Sequence, residues 1–321
     1  MISIIAPCYN EQDVLYDFYQ TVTKVMKENQ YSYEIVFVND GSRDQTLSIL
    51  KELGEKDRRV QYISFSRNFG KESAMLAGLS YSKGDAVIIM DTDLQHPPSM
   101  IPRMVEAFQN GSDQVIAKRD RAGESKSRSW VSSLYYKLIN RFVDVQLEDG
   151  VGDFRLLSRK AVDSLLSLSE YNRFSKGLFS WIGYKQEIIE YENVSRHAGD
   201  SKWSFFSLLN YGIDGIISFN NKPLRLSIYS GVAVMAADVI YVLWMLIKII
   251  FMGGVDVPGY FTLISAILLL GGIQLVALGV IGEYIGRIYY ETKKRPHYIV
   301  ADDNYTQVSQ SQKNKIQKVL S

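Results

Sequence analysis

The sequence holds a single cysteine, Cys8, and no surplus of charge: 36 Lys and Arg stand against 35 Asp and Glu, a formal net charge of +1. One thiol excludes an internal disulfide and fits a reducing compartment, with Cys8 expected as a small buried residue at a strand end. A chain so balanced gives no reason to expect a nucleic-acid partner. No glycine fingerprint of the dinucleotide type follows the first apolar run, and no phosphate-cradling P-loop occurs anywhere. The usual backbone cradles for a diphosphate are therefore absent, and something else must neutralise it. No basic stretch or cleavage site precedes the opening Met1-Ile2-Ser3-Ile4-Ile5, so no secretory signal is expected and the large domain is expected to stay where it is made.

What is present divides sharply. The averages, 46% hydrophobic and 22% charged over 321 residues, are those of a soluble protein. They conceal two almost wholly apolar stretches, 226–251 and 260–285, each long enough to cross a hydrocarbon core of about 30 Å. Lys222 and Arg225 precede the first stretch and Arg287, Lys293, Lys294 and Arg295 follow the second, whereas the turn between them carries only Asp256. The positive-inside rule then predicts a transmembrane hairpin with the catalytic domain and both termini cytoplasmic, a multi-pass protein of the inner (plasma) membrane. Asp238 sits inside the first span, where it is expected to face another helix, with Gln274 as a candidate partner, and this favours a homo-oligomer, a tetramer among the options. Ahead of the hairpin, Phe205, Leu208, Leu209, Ile213 and Ile216 fall on one helical face, so residues 201–222 are expected to form an amphipathic helix lying on membrane lipid. The polar tail after Asp302 is expected to be disordered.

The first 200 residues are expected to form the large globular domain that would carry the chemistry. Five apolar runs, Ile2–Ala6, Glu34–Val38, Gln61–Phe65, Ala86–Met90 and Gln114–Ala117, alternate with helical patterns over 13–27, 44–53, 71–81 and 98–108, which predicts an α/β fold with a doubly wound parallel sheet. Ligands of such sheets sit beyond the carboxyl ends of the strands. The residues there are Tyr9-Asn10-Glu11, Asn39-Asp40-Gly41, Ser66-Arg67-Asn68 and Asp91-Thr92-Asp93. Asp91 and Asp93 are hard oxygen donors suited to Mg²⁺ or Mn²⁺, but alternate residues of a strand point to opposite faces, so the chain must turn there, and Pro97-Pro98 marks that turn. Asp40 can accept from a base or ribose and Tyr9 can pack on a ring. The stretch Lys118–Arg128 holds five basic and two acidic residues and reads as a mobile basic loop.

The opening Pro7-Cys8-Tyr9-Asn10-Glu11, the Val38-Asn39-Asp40-Gly41-Ser42 turn and the Asp91 pair together resemble glycosyltransferase family 2, whose members have the Rossmann-like GT-A fold. Asp91-Thr92-Asp93-Leu94-Gln95-His96-Pro97-Pro98, Ser66-Arg67-Asn68-Phe69-Gly70, Gly152-Asp153-Phe154-Arg155 and Arg196-His197-Ala198-Gly199-Asp200-Ser201-Lys202 narrow the resemblance to its polyisoprenyl-phosphate branch, over residues 1 to 295. The resemblance implies that Pro7, Tyr9, Glu11 and Asp40 contact the nucleoside, that Asp91, Asp93 and Gln95 organise the metal and diphosphate, and that Arg119, Arg128, Arg155, Arg196 and Lys202 face the phosphates. It further implies inverting transfer of a hexose from a nucleotide diphosphate sugar to a polyisoprenyl phosphate, with UDP-glucose and undecaprenyl phosphate the first candidates. N-acetylglucosamine and GDP-mannose remain alternatives for the donor. A flippase and a transferase using the lipid phosphosugar would act afterwards. Asp153 is left between two roles, a catalytic one and an ion pair with Arg155. A processive polysaccharide synthase is disfavoured by the lack of a Gln-x-x-Arg-Trp motif and by only two spans. A non-catalytic membrane scaffold is disfavoured by the intact carboxylates.

Overall fold

The computed structural model describes residues 1–119, 151–191, 222–252 and 259–305. The five anticipated strands are all present: β1 (Ile2–Cys8), β2 (Tyr33–Asn39), β3 (Val60–Phe65), β4 (Ala86–Ile89) and β5 (Gln114–Arg119). Helices α1 (Leu15–Glu28), α2 (Thr46–Lys56), α3 (Lys71–Tyr81) and α4 (Ile101–Gln109), the last led in by a 3₁₀ turn at Pro98–Met100, alternate with them. Strands β1 to β4 run parallel. Both faces of β1 are covered, so Ile4 packs with Leu15, Phe18 and Phe37 below α1, while Ile5 packs with Met75 and Leu79 of α3 on the opposite side. This two-sided burial is why the strands read as continuous apolar runs rather than alternating ones. α3 approaches so closely that a Cβ on Gly78 would lie 2.2 Å from Ile5 Cγ2.

The sheet is mixed, which corrects the expectation of a parallel one. Its order is β7-β5-β6-β4-β1-β2-β3-β8, with β6 (Val151–Ser158) inserted antiparallel between β4 and β5. β7 (Gln186–Tyr191) extends the sheet beyond β5, and α5 (Arg159–Ser167) and α6 (Ser175–Trp181) pack on the α3 side. Ser158 caps α5 by accepting from Ala161 N–H at 3.3 Å.

Two long helices follow, α7 (Lys222–Met252) and α8 (Gly259–Lys293), packed against each other. Within α8, Leu269–Lys293 is long and apolar enough to cross a membrane, and none of its apolar window is buried among the described residues. Exposed apolar side chains run along both helices, among them Ile250, Phe251, Leu275 and Val276. Together they make a surface far larger than water-facing proteins present, so the hairpin associates with membrane. Gln274 is exposed. The side chain of Asp238 and the expected interfacial helix at 201–222 lie outside what is described.

After α8 the chain returns to the globular domain, and the first residues of the tail expected to be disordered, Asp303 to Tyr305, are ordered there, while 306–321 lie outside the described residues. β8 (Val300–Asp303) pairs antiparallel with β3. Tyr298 stacks on Phe65 at 4.9 Å, Tyr305 is buried against Tyr81, and Asn304 closes the edge by accepting from Tyr62 N–H and donating to Val60 O. The sheet is thus completed by residues from beyond the hairpin.

Candidate active site

The loops after β1 and β2 clasp each other through side chains that bond to the opposite backbone. Asn10 N–H donates to Ser42 Oγ at 2.9 Å and Asn10 Oδ1 accepts from Arg43 N–H at 2.9 Å; Glu11 N–H donates to Thr46 Oγ1 at 3.0 Å. Asn10 takes a φ of 55°, a left-handed turn that asparagine tolerates. The clasp leaves Tyr9 on the surface, with Pro7 and Glu11 half-buried beside it. Asp40 is buried, and its carboxylate accepts from Phe69 N–H at 2.6 Å and Gly70 N–H at 2.9 Å. Burial raises its pKa, partly offset by those two bonds. In this arrangement Asp40 builds the loop after β3, and a nucleoside would have to add a bond to oxygens already engaged. Gly41 lies where that loop passes over it: φ is +66° and a Cβ would meet Arg67 C at 2.3 Å.

The carboxylates converge through one cation. After β4 the backbone turns as anticipated, with Thr92 buried, Leu94 at a φ of 56° and Asp93 Oδ1 accepting from Gln95 N–H at 3.1 Å. The turn is held by His96, whose ring stacks on Phe154 at 4.9 Å and whose Nδ1 accepts from Asp91 N–H at 3.2 Å. Burial pushes His96 down, so it stays neutral and keeps that lone pair. Lys71, the first residue of α3, places its ammonium 2.7 Å from Asp91 Oδ1 and 2.8 Å from Asp153 Oδ2 on β6. Burial disfavours ionisation of Asp153, but Lys71, aided by Lys176 and Arg155, outweighs it and holds the carboxyl at about 2.

Two expectations change here. Asp153 is ion-paired with Lys71, a partner not anticipated beside Arg155. Arg155, expected to face a phosphate, is 2% exposed; its guanidinium lies 3.7 Å from the centroid of the Phe179 ring and donates to Gly152 O, so it packs against β6 away from solvent. Cys8 is buried as expected, bonded to Val38 O, with its pKa pushed up by burial. Arg128, Arg196 and Lys202 fall outside the described residues; for Arg119 only the backbone is described, paired with Tyr191.

The donor set suits a divalent cation that retains open positions. Among the described residues no group of three His, Cys, Asp or Glu surrounds a common point. Two carboxylates plus substrate phosphate oxygens are the ligands Mg²⁺ or Mn²⁺ uses in nucleotide sites, and the Lys71 ammonium already shows that a positive charge is stable against Asp91.

Comparison with known proteins decides the family. The signature described as Glycosyl transferase family 2 matches residues 3–166, and one described as GtrB C-terminal hairpin matches residues 222–288. The chain belongs to glycosyltransferase family 2. It is 57% identical over 304 residues, 95% of this chain and 92% of the relative, to CsbB of Bacillus subtilis (strain 168), which is named as a glycosyltransferase. It is 45% identical over 300 residues, 93% of this chain and 98% of each relative, to a prophage bactoprenol glucosyl transferase homolog of Escherichia coli (strain K12) and to the bactoprenol glucosyl transferase of Shigella phage SfX. The mixed sheet is accordingly the GT-A sheet of this glycosyltransferase family, with the helical hairpin appended.

Lys71 is the site residue that sequence reasoning missed. A lysine opening a helix reads as a solvated charge. Lys71 follows Phe69-Gly70, whose N–H groups are held by Asp40, on the loop leaving β3, and nothing in the sequence marks it as a bridge.

Proposed function

We propose that this glycosyltransferase moves a hexose, glucose in the first instance, from a nucleotide diphosphate sugar such as UDP-glucose to a polyisoprenyl phosphate, inverting the anomeric centre. The observation that carries this is the joining of one carboxylate site, Asp91 and Asp153 bridged by Lys71 with Asp93 two residues on, to a hairpin whose apolar surface needs lipid. The names of relatives 45% identical over nearly the whole chain support the acceptor class and the sugar. Undecaprenyl phosphate (bactoprenyl phosphate) is the acceptor proposed. The catalytic domain and both termini are proposed to lie on the cytoplasmic side of the inner membrane, where nucleotide sugars are made.

The chemistry follows from charge. Asp91 and Asp93 would hold a divalent cation, which when bound neutralises the departing nucleoside diphosphate. Tyr9, Glu11 and Asp40, at the ends of β1 and β2, are proposed to seat the nucleoside. Gln95 is proposed to steady the diphosphate beside Asp93. The acceptor phosphate, with a second pKa of about 6, is already an anionic nucleophile at neutral pH and needs no strong base. Asp153, ionised far below neutrality and bonded to Lys71, is a poor base and serves to fix Lys71 and the charge of the pocket. Catalysis then rests on alignment of two anions by fixed cations, with Arg119, Arg128, Arg196 and Lys202 retained as phosphate-facing candidates.

Membranes containing the protein, incubated with radiolabelled UDP-glucose, UDP-N-acetylglucosamine and GDP-mannose in turn, should transfer label from UDP-glucose into an acid-labile lipid. Label entering protein or polysaccharide with no lipid intermediate would sink the proposal.

A further inference from the structure

Lys71 has two neighbours, Gly70 and Glu72, that line a second feature, a cleft of about 470 Å³ between the catalytic domain and α8. Its size is that of a small-molecule site. Three arginines far apart in sequence meet in its wall: Arg67 from the loop after β3, Arg173 from the segment before α6, and Arg287 from the membrane helix. Glu72 is the one acid among the described lining residues. Its carboxyl is bonded to Ser175 Oγ, and burial raises it to about 7, so it is only partly ionised at neutral pH; behind the wall Arg287 faces Glu283 at 4.0 Å and Arg173 donates to Leu165 O and Leu168 O. Burial and the charge of Arg173 push the nearby His297 down to about 4.

The wall from α8 is fixed in place. Tyr171 N–H donates to Glu291 Oε1 at 2.7 Å, and the Tyr171 ring stacks on Tyr290 and His297, each at 5.6 Å. Arg287 lies one turn before Glu291 on the same helix face, near the C-terminal end of the apolar run Leu269–Lys293. The cleft therefore borders the end of a membrane helix and is lined by both sequence neighbours of Lys71, the residue that bridges Asp91 and Asp153.

Guanidinium groups match phosphate oxygens in pairs, and they neutralise them without a metal. A nucleoside diphosphate that travels with a divalent cation belongs at Asp91 and Asp93; a phosphate lacking one belongs among arginines. We propose that this cleft binds the phosphate of the polyprenyl phosphate acceptor, delivered at the membrane surface between Arg67, Arg173 and Arg287, and presents it past Lys71 to the donor. This rests on the lipid-acceptor reading above and deepens it.

The test measures binding of three probes to the full chain in phosphatidylcholine nanodiscs: a polyprenyl monophosphate, phosphatidylglycerol and inorganic phosphate. Arg287→Gln and Arg67→Gln should each weaken polyprenyl phosphate binding about tenfold, with nucleotide-sugar affinity unchanged and Arg287→Lys recovering part of the loss. Weakened phosphatidylglycerol or inorganic phosphate binding with polyprenyl phosphate untouched would overturn the assignment, as would no change at all. If Arg287→Gln does not fold, the exposed Arg67→Gln decides alone. Wild-type protein that binds the polyprenyl phosphate but transfers no sugar would end the proposed activity and leave the cleft standing.

Discussion

The sheet and the hairpin are both built from apolar residues, but they hide them from water in opposite ways. In the sheet, Ile4, Leu15, Phe18 and Phe37 are fully buried by other parts of the same chain. In the hairpin, Leu275, Val276 and Ile250 are about 70% exposed and are satisfied only if lipid covers them. The polar chemistry lies where these two solutions meet: Lys71, Asp91 and Asp153 at the carboxyl edge of the sheet, Arg287 and Glu291 at the end of α8. The proposed transfer to a lipid-borne phosphate would require charged groups at that junction.

The largest effect expected is on the polar edge alone. Asp91→Asn should lower turnover about a thousandfold, roughly 4 kcal/mol of transition-state stabilisation, while the melting temperature hardly moves, because Lys71 keeps Asp153. Unfolding of this variant would instead place Asp91 among the structural residues. Lys71→Met should cost about a hundredfold. It should also let Mg²⁺ or Mn²⁺ raise the melting temperature by more than in wild type, since no ammonium then competes for Asp91. Equal metal-induced shifts in both proteins would rule that competition out.

How far the sequence could be read follows the same division. Runs buried on both faces are unambiguous, so five strands were legible, and α3 was anticipated at its observed bounds, 71–81. β6 escaped because Asp153 and Arg155 interrupt its apolar pattern: one ends at the site and the other is buried against Phe179. β8 escaped because a strand of Val-Ala-Asp-Asp carries no propensity signal; its place is set by tertiary contacts of Tyr298, Asn304 and Tyr305. In the site, the strand-end carboxylates were legible from topology. The Lys71 bridge was not, because which cation meets which carboxylate depends on how α3 and β6 approach, and no spacing in the chain encodes it.

Two neighbouring acids should respond to pH in opposite senses. Burial raises Glu72 from its ordinary 4.5 to about 7, so the folded state keeps a proton that the unfolded chain has lost. Its stabilising contribution is complete below about 4.5 and disappears as pH rises through about 7. Asp153 is lowered from 3.8 to about 2, so its contribution is present above 3.8 and disappears as pH falls toward 2. Urea unfolding across pH should show Glu72→Gln flattening the curve between 4.5 and 7 and leaving the acid limb intact. An unchanged slope in that window would mean the Glu72 carboxyl titrates normally.

The smallest effect is the sharpest test of the division itself, because it applies one substitution to both regions. Leu15→Ala removes a fully buried side chain and leaves a cavity, for which a loss of about 2–5 kcal/mol is expected. Leu275→Ala removes as many atoms from a side chain that is 71% exposed, so no internal cavity forms. Lipid or detergent fills the space, and the change should stay within about 0.5 kcal/mol. Thermal unfolding in a single detergent measures both. A loss at Leu275 as large as that at Leu15 would mean that this face packs against protein, a second copy of the hairpin, and not against lipid.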